Sequence, residues 1–315
     1  MRILFIGQAP FGAEALEALL TQGEQLVGVI TTPDHPRQRA ANPVTETAQK
    51  HGLPLLQTAL LKRPETISWV QKQAPDLLVL AFVTSFVPTP MINLAKLGGI
   101  NYHPSLLPKY RGGSAINWTI INGERETGVT IHYIDEGVDT GPILLQEKVR
   151  IKPDDTVKSL YFGKLYPLGI TMICESVRLI RAGEARPVPQ DESLASFQPV
   201  ITANDAVIDW QQPTDTVYNL IRGTNPSPGA ASCLHGKICR IFDCAKGSGQ
   251  GRPGSVLTID TASFSIATAD GAIAVQKIQP PENKKLAAAD FVDAIGLSVG
   301  DRFTTLTPDS ARQSC

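Results

Sequence analysis

Over the first hundred residues, short apolar runs alternate with stretches of helical period, and this alternation constrains the fold more than any other feature. Residues 2–6 are an apolar run ending at Gly7, the pattern of a strand buried on both faces. Residues 7–12 read as a tight loop, and 14–20 place Ala15, Leu16, Leu19 and Leu20 on one helical face. The cycle repeats with strands expected at 26–31 and 76–82, a short one near 53–56, and helices at 45–51, 67–72 and 91–95. Such a chain folds into a doubly wound, mostly parallel α/β sheet of Rossmann-like type, whose ligand crevice lies beyond the C-terminal strand ends. The loop after the first strand lacks GxGxxG, because Gly7 and Gly12 stand five apart with Pro10 between. That argues against a dinucleotide site and therefore against NAD.

The next strand carries the chemistry. Residues 97–100 lead into Asn101, Tyr102, His103, Pro104 and Ser105. Residues two apart on a strand share a face, so Asn101 and His103 project side by side from a strand end, as Phe82 leaves the end of another. An amide and an imidazole so placed suit a site that grips a carbonyl oxygen and moves a proton. Each such donor contributes about 3 kcal/mol toward an oxyanion. The third candidate is Asp139, in a turn between Gly137 and Gly141 whose flanking glycines allow close backbone approach to a ligand. It would orient His103 and favour its imidazolium, or take a proton from a nucleophile. Ser105 lacks the GxSxG context of an activated nucleophile, so direct attack by a second substrate is expected rather than an acyl-enzyme. The cluster Lys109, Tyr110 and Arg111 reads either as a solvated loop or as an anion contact. Ser105 and Arg111 are taken as substrate contacts.

Further along, strands are expected at 127–134 and 143–151 as a hairpin, with the acidic turn 135–141 at its tip. A helix capped at Asp155 or Thr156 follows, interrupted by Pro167 and resumed over 170–182. The organisation expected is a catalytic domain over 1–183, a Pro-, Ser- and Asp-rich linker over 184–206, and a second domain over 207–303. In that second domain, after a helix at 214–222, short β-like runs between glycines suggest a small OB-like β-barrel. The polar tail 304–315 is expected to be disordered.

Composition excludes more than it assigns. With 29 basic and 30 acidic residues, the net charge of -1 calls for neither a nucleic-acid nor a membrane partner. The five cysteines are odd in number and form no CxxC, so no metal site and no disulfide framework is expected. No run reaches the roughly 18 apolar residues of a membrane span, and the apolar start is too short for a signal peptide. The chain reads as cytoplasmic. Nothing in the pattern sets an oligomeric state.

Asn101-x-His103-x-Ser-Leu-Leu-Pro, then Arg111-Gly-Gly, then Asp135-x-Gly-x-Asp139-Thr-Gly resembles the 10-formyltetrahydrofolate-using formyltransferase family across about residues 1–303. The family includes methionyl-tRNA formyltransferase, the hydrolase domain of 10-formyltetrahydrofolate dehydrogenase, and small-amine N-formyltransferases. The resemblance implies catalytic Asn101, His103 and Asp139. It also implies a folate seated against Phe82, Val83 and Thr84 and the turn with Asp135 and Val138, with no metal and no NAD. The formyl acceptor would be water, an amine or methionyl-tRNA. Pro104 in place of the glycine usual in the tRNA enzymes, a short 34–43 loop with only Arg37 and Arg39, and hydrolase-like stretches at 114–119 and 165–170 favour water or a small amine. Methionyl-tRNA is the alternative. A non-catalytic folate-binding module is a further one, disfavoured because all three polar residues are present.

Overall fold

Seven strands of the first sheet follow from the apolar runs, and their order places the polar residues. The computed structural model describes residues 1–34, 41–281 and 284–306. Arg37 and Arg39 of the expected short loop, and residues 307–315 of the expected tail, lie outside the described residues. The chain divides into two compact units. Unit 1 comprises residues 1–112, 127–149 and 162–197; unit 2 comprises 113–126, 150–161 and the chain from 198 onward.

The first strands and helices are β1 (Arg2–Gly7), α1 (Ala9–Thr21), β2 (Gln25–Thr31), α2 (Pro43–Lys50), β3 (Leu55–Gln57), α3 (Pro64–Gln73), β4 (Leu77–Ala81), α4 (Thr89–Ile92) and β5 (Gly99–His103). After them come the two-residue β6 (Arg111–Gly112), α5 (Ala115–Ile121), and the neighbours β7 (Glu126–Tyr133) and β8 (Ile143–Arg150). The sheet order is β3-β2-β1-β4-β5-β7-β8. Pairs from β3 through β5 are parallel, and β7 joins β5 antiparallel. Central strands β1 and β4 are buried almost throughout, as a sheet covered on both faces requires.

Three local expectations change. The loop read at 7–12 is already helix from Ala9, with Pro10 in the first turn of α1. A proline fits there because first-turn N–H groups have no intrahelical partner to lose. The helix capped by Thr156 is short, α6 (Val157–Leu160), with a reciprocal Thr156–Ser159 capping box. A π-helical turn over Tyr161–Leu165 separates it from α7 (Tyr166–Ala182). The break therefore precedes Pro167, which sits harmlessly in the first turn of α7. The stretch read as a linker also carries local structure: β9 (Phe197–Gln198) pairs with β6.

Unit 2 holds α5, α6, α8 (Thr214–Gly223) and the strands β10 (Ala230–Leu234), β11 (Lys237–Gly247), β12 (Val256–Ile259), β13 (Phe264–Ala267), β14 (Ala272–Gln279) and β15 (Leu286–Ala287). Then come α9 (Ala288–Ile295) and β16 (Phe303–Thr304), so the expected tail begins in a strand. The strands form an antiparallel sheet ordered β12-β13-β14-β11-β10-β16, with β15 on β14, in agreement with the expected small antiparallel domain. Helix α9 was not expected, although Ala288, Phe291, Val292 and Ile295 carry helical spacing. No helix among the described residues is long and apolar enough to cross a membrane.

Candidate active site

The parallel run ends at β5, and its last residues meet β7 in a register that collects four polar side chains. Asn101 lies opposite His132 and His103 opposite Thr130. Asn101 Nδ2 donates to His132 Nε2 at 3.2 Å and to Asp139 Oδ1 at 3.4 Å. His103 Nδ1 stands 3.4 Å from Asp139 Oδ2, and His132 Nε2 3.4 Å from Asp139 Oδ1. The structure thus brings Asn101, His103 and Asp139 together and adds His132, which sequence reasoning missed. Its only signal was register: it falls opposite Asn101 once β5 and β7 pair.

Tautomers follow from the partners. Tyr110 O can only accept, so His103 Nε2 carries a hydrogen and donates to it at 2.7 Å. By the same logic His132 Nδ1 donates to Tyr133 O at 2.8 Å, leaving Nε2 to accept from Asn101. Neutral His103 therefore turns its bare Nδ1 toward Asp139. Burial lowers the pKa of His103, outweighing the Asp139 carboxylate and the Tyr110 carbonyl, so the imidazole is neutral at pH 7. At Asp139 burial works the other way, toward a higher pKa. In the acid range where the carboxyl titrates, the then protonated His103 and the Gly112 amide overrule it and hold the carboxyl below the usual carboxylate range.

The acidic turn is built locally to present Asp139. Asp135 Oδ1 accepts from Gly137 N at 3.0 Å and Thr140 Oγ1 at 2.6 Å, closing the turn on itself. A Cβ on Gly141 would lie 1.9 Å from Tyr133 O, so only glycine fits there. Asp139 takes φ +56°, and Gly112 N donates to its Oδ2 at 2.9 Å. Phe82 and Tyr110 also have left-handed backbones, at φ +60° and +62°. Such strain gathers at functional sites when the surroundings hold it.

Of the other residues singled out, Phe82 and Val138 are exposed on loops leaving β4 and the β7–β8 hairpin, with Thr84 exposed and Val83 half-buried beside Phe82. They leave apolar surface uncovered near strand ends, which suits a flat heteroaromatic ring. Asp135 is exposed, but its Oδ1 belongs to the turn. The two expected substrate contacts are both covered. Ser105 is fully buried and donates to Lys109 O at 2.8 Å. Arg111 is buried too: its guanidinium is bidentate to Glu192, at 2.8 and 2.7 Å, and also donates to Gln190 Oε1. Both hold the loop through these bonds. Among the described residues no group of three His, Cys, Asp or Glu is placed to hold a metal ion.

Known proteins resemble the chain over nearly its whole length. The Formyl transferase family profile matches residues 1–164, and the Formyl transferase, C-terminal domain profile matches 200–295. A methionyl-tRNA formyltransferase of Geotalea uraniireducens is 36% identical over 95% of this chain and 97% of that protein. One of Syntrophus aciditrophicus is 38% identical over the same shares. The crystal structure of HypX from Aquifex aeolicus in complex with tetrahydrofolic acid superposes with TM-score 0.68 at 24% identity. It covers 96% of this chain and 48% of that one, so the chain spans about half the length of that protein and shares its fold. The preference for water or a small amine, drawn from Pro104, the short 34–43 loop and the hydrolase-like stretches, finds no support in these relatives, whose names match the alternative instead. By both halves of its sequence and by near full-length identity, the chain belongs to the formyl transferase family.

Proposed function

We propose that the chain moves the formyl group of 10-formyltetrahydrofolate to the α-amine of methionyl-tRNA. The observation that carries the chemistry is the facing pair His103 Nδ1 and Asp139 Oδ2, 3.4 Å apart, with His103 Nε2–H already committed to Tyr110 O. Both facing atoms are bases, and no proton of neutral His103 lies between them. The pair accepts the proton that the attacking amine must lose as its nitrogen bonds to the formyl carbon. His103 then carries that proton on Nδ1 and delivers it to N10 as the carbon–nitrogen bond breaks, so one proton passes from acceptor to tetrahydrofolate and none is lost. Asn101 turns toward the oxyanion, releasing its longer hydrogen bond, the one to Asp139. His132 keeps the amide oriented through the shorter one. Exposed Phe82 and Val138 offer apolar surface to the folate ring. The tRNA acceptor is supported by the relatives at 36–38% identity over nearly the full chain.

The test is turnover of 10-formyltetrahydrofolate by the purified chain with methionyl-tRNA, with uncharged tRNA, and alone. Formyl-methionyl-tRNA and tetrahydrofolate should appear only with the charged tRNA. Formate released without an acceptor would overturn the assignment.

A further inference from the structure

We propose that Gln190 is a positioning residue for Asp139, holding the turn that presents the carboxylate to His103. The inference rests on the proposed role of Asp139. Gln190 lies in the stretch that composition marks as a linker, far in sequence from the residues it touches. Its amide uses every hydrogen-bonding position it has. Nε2 donates to Asp139 O at 2.8 Å and to Gly141 O at 2.7 Å, pinning the turn on both sides of Thr140. Oε1 accepts from Arg111 Nε at 3.1 Å and Nη2 at 2.8 Å. Arg111 is buried, and its bidentate pairing with Glu192 fixes the guanidinium that in turn fixes Gln190.

The two residues on either side of Arg111 face the His103–Asp139 pair directly. Gly112 N donates to Asp139 Oδ2, and the carbonyl of Tyr110 accepts from His103 Nε2. One amide therefore ties the Asp139 turn to Arg111, whose two chain neighbours set both ends of the His103–Asp139 pair. Asp139 needs such a tie. A non-glycine residue in the left-handed region is held there by its surroundings, and its backbone carbonyl is one of the two groups that Gln190 binds.

Two variants separate the halves of the clamp. Gln190→Leu removes all four hydrogen bonds. Gln190→Glu keeps acceptors for Arg111 but has no N–H for the two turn carbonyls. If Gln190 acts through Asp139, both variants lose about 10- to 100-fold in kcat, the effect of a small misplacement of reacting groups, while KM for 10-formyltetrahydrofolate moves less than about two-fold. Amide exchange at Gly112 should also accelerate about ten-fold in the folded Gln190→Glu protein, because its acceptor, Asp139 Oδ2, loosens. Gln190→Glu with wild-type kcat and wild-type Gly112 exchange would overturn the proposal and leave Gln190 as a support for Arg111 alone. The exchange measurement needs no substrate. Accelerated exchange in a chain whose wild type transfers no formyl group would sink the functional reading and keep the positioning role.

Discussion

Unit 2 centres on aromatic rings, and unit 1, at the end of β5, on groups that titrate. In unit 2 Phe264 is fully buried and stacks on Phe291 and Phe303, each ring 5.9 Å away. The one nearby polar edge, Trp210 Nε1, is satisfied by Ser232 Oγ at 2.9 Å. In unit 1 His103, His132 and Arg111 are buried, and Asp139 nearly so. The same contrast shows in the backbone. His235 of unit 2 is left-handed beside Gly236 because a two-residue hairpin joins β10 to β11, and that turn asks for it. Asp139 is left-handed because residues distant in sequence hold it so. Burial of rings stabilises without directing anything. Burial of a carboxylate beside an imidazole is unfavourable unless hydrogen bonds compensate it, and at Asp139 the Gly112 and Asn101 N–H groups supply them.

This contrast can be broken from either side. The largest effect is expected from Asp139→Asn, which keeps the shape of the turn and removes a base: turnover should fall about a thousand-fold, within the range for general acid–base catalysis. A variant that turned over normally would remove Asp139 from the mechanism. On the other side, Phe264→Ala should destabilise unit 2 by about 3–5 kcal/mol, as deletion of a buried ring does. Denaturant unfolding would report it, and formyl transfer by the fraction still folded at low temperature should be unchanged. The smallest effect is in pH. The pKa of His103 is held below its ordinary 6.5 in the folded chain, so between those values the unfolded chain binds more protons. Its contribution to stability is fully present above pH 6.5 and is lost as pH falls toward the folded value. Tm measured from pH 7 to 5 should fall less steeply in His103→Gln than in the wild type. Parallel slopes would show that His103 titrates normally.

Much of the site was legible in the chain. Asn101 and His103 stand two apart where an apolar run stops, which is enough to place them on one face at a strand end. The acidic turn was legible for a partly different reason than function: Asp135, Gly137 and Gly141 close the turn, and Asp139 is the residue it displays. His132 was not legible, because its role comes from lying opposite Asn101 across a strand pair. That Ser105 and Arg111 are buried was not legible either, because polar type says nothing about burial. Ser105 is turned to Lys109 O, and Arg111 is covered and paired by residues about 80 positions later.

By itself the sequence determined the elements whose cause is local. These are the parallel strands and their helices, the short antiparallel strands of unit 2, the strand end bearing Asn101 and His103, and the shape of the acidic turn. All rest on hydrophobic period, on proline and glycine, and on side chains that bond within a few residues. Only the tertiary structure decided which strand faces β5, which histidine joins Asn101, that Arg111 is buried, and that Gln190 reaches back 51 residues to the carbonyl of Asp139. Those contacts are made by hydrogen bonds of a few ångströms between parts of the chain that no period links, so they exist only once packing has brought their backbones together.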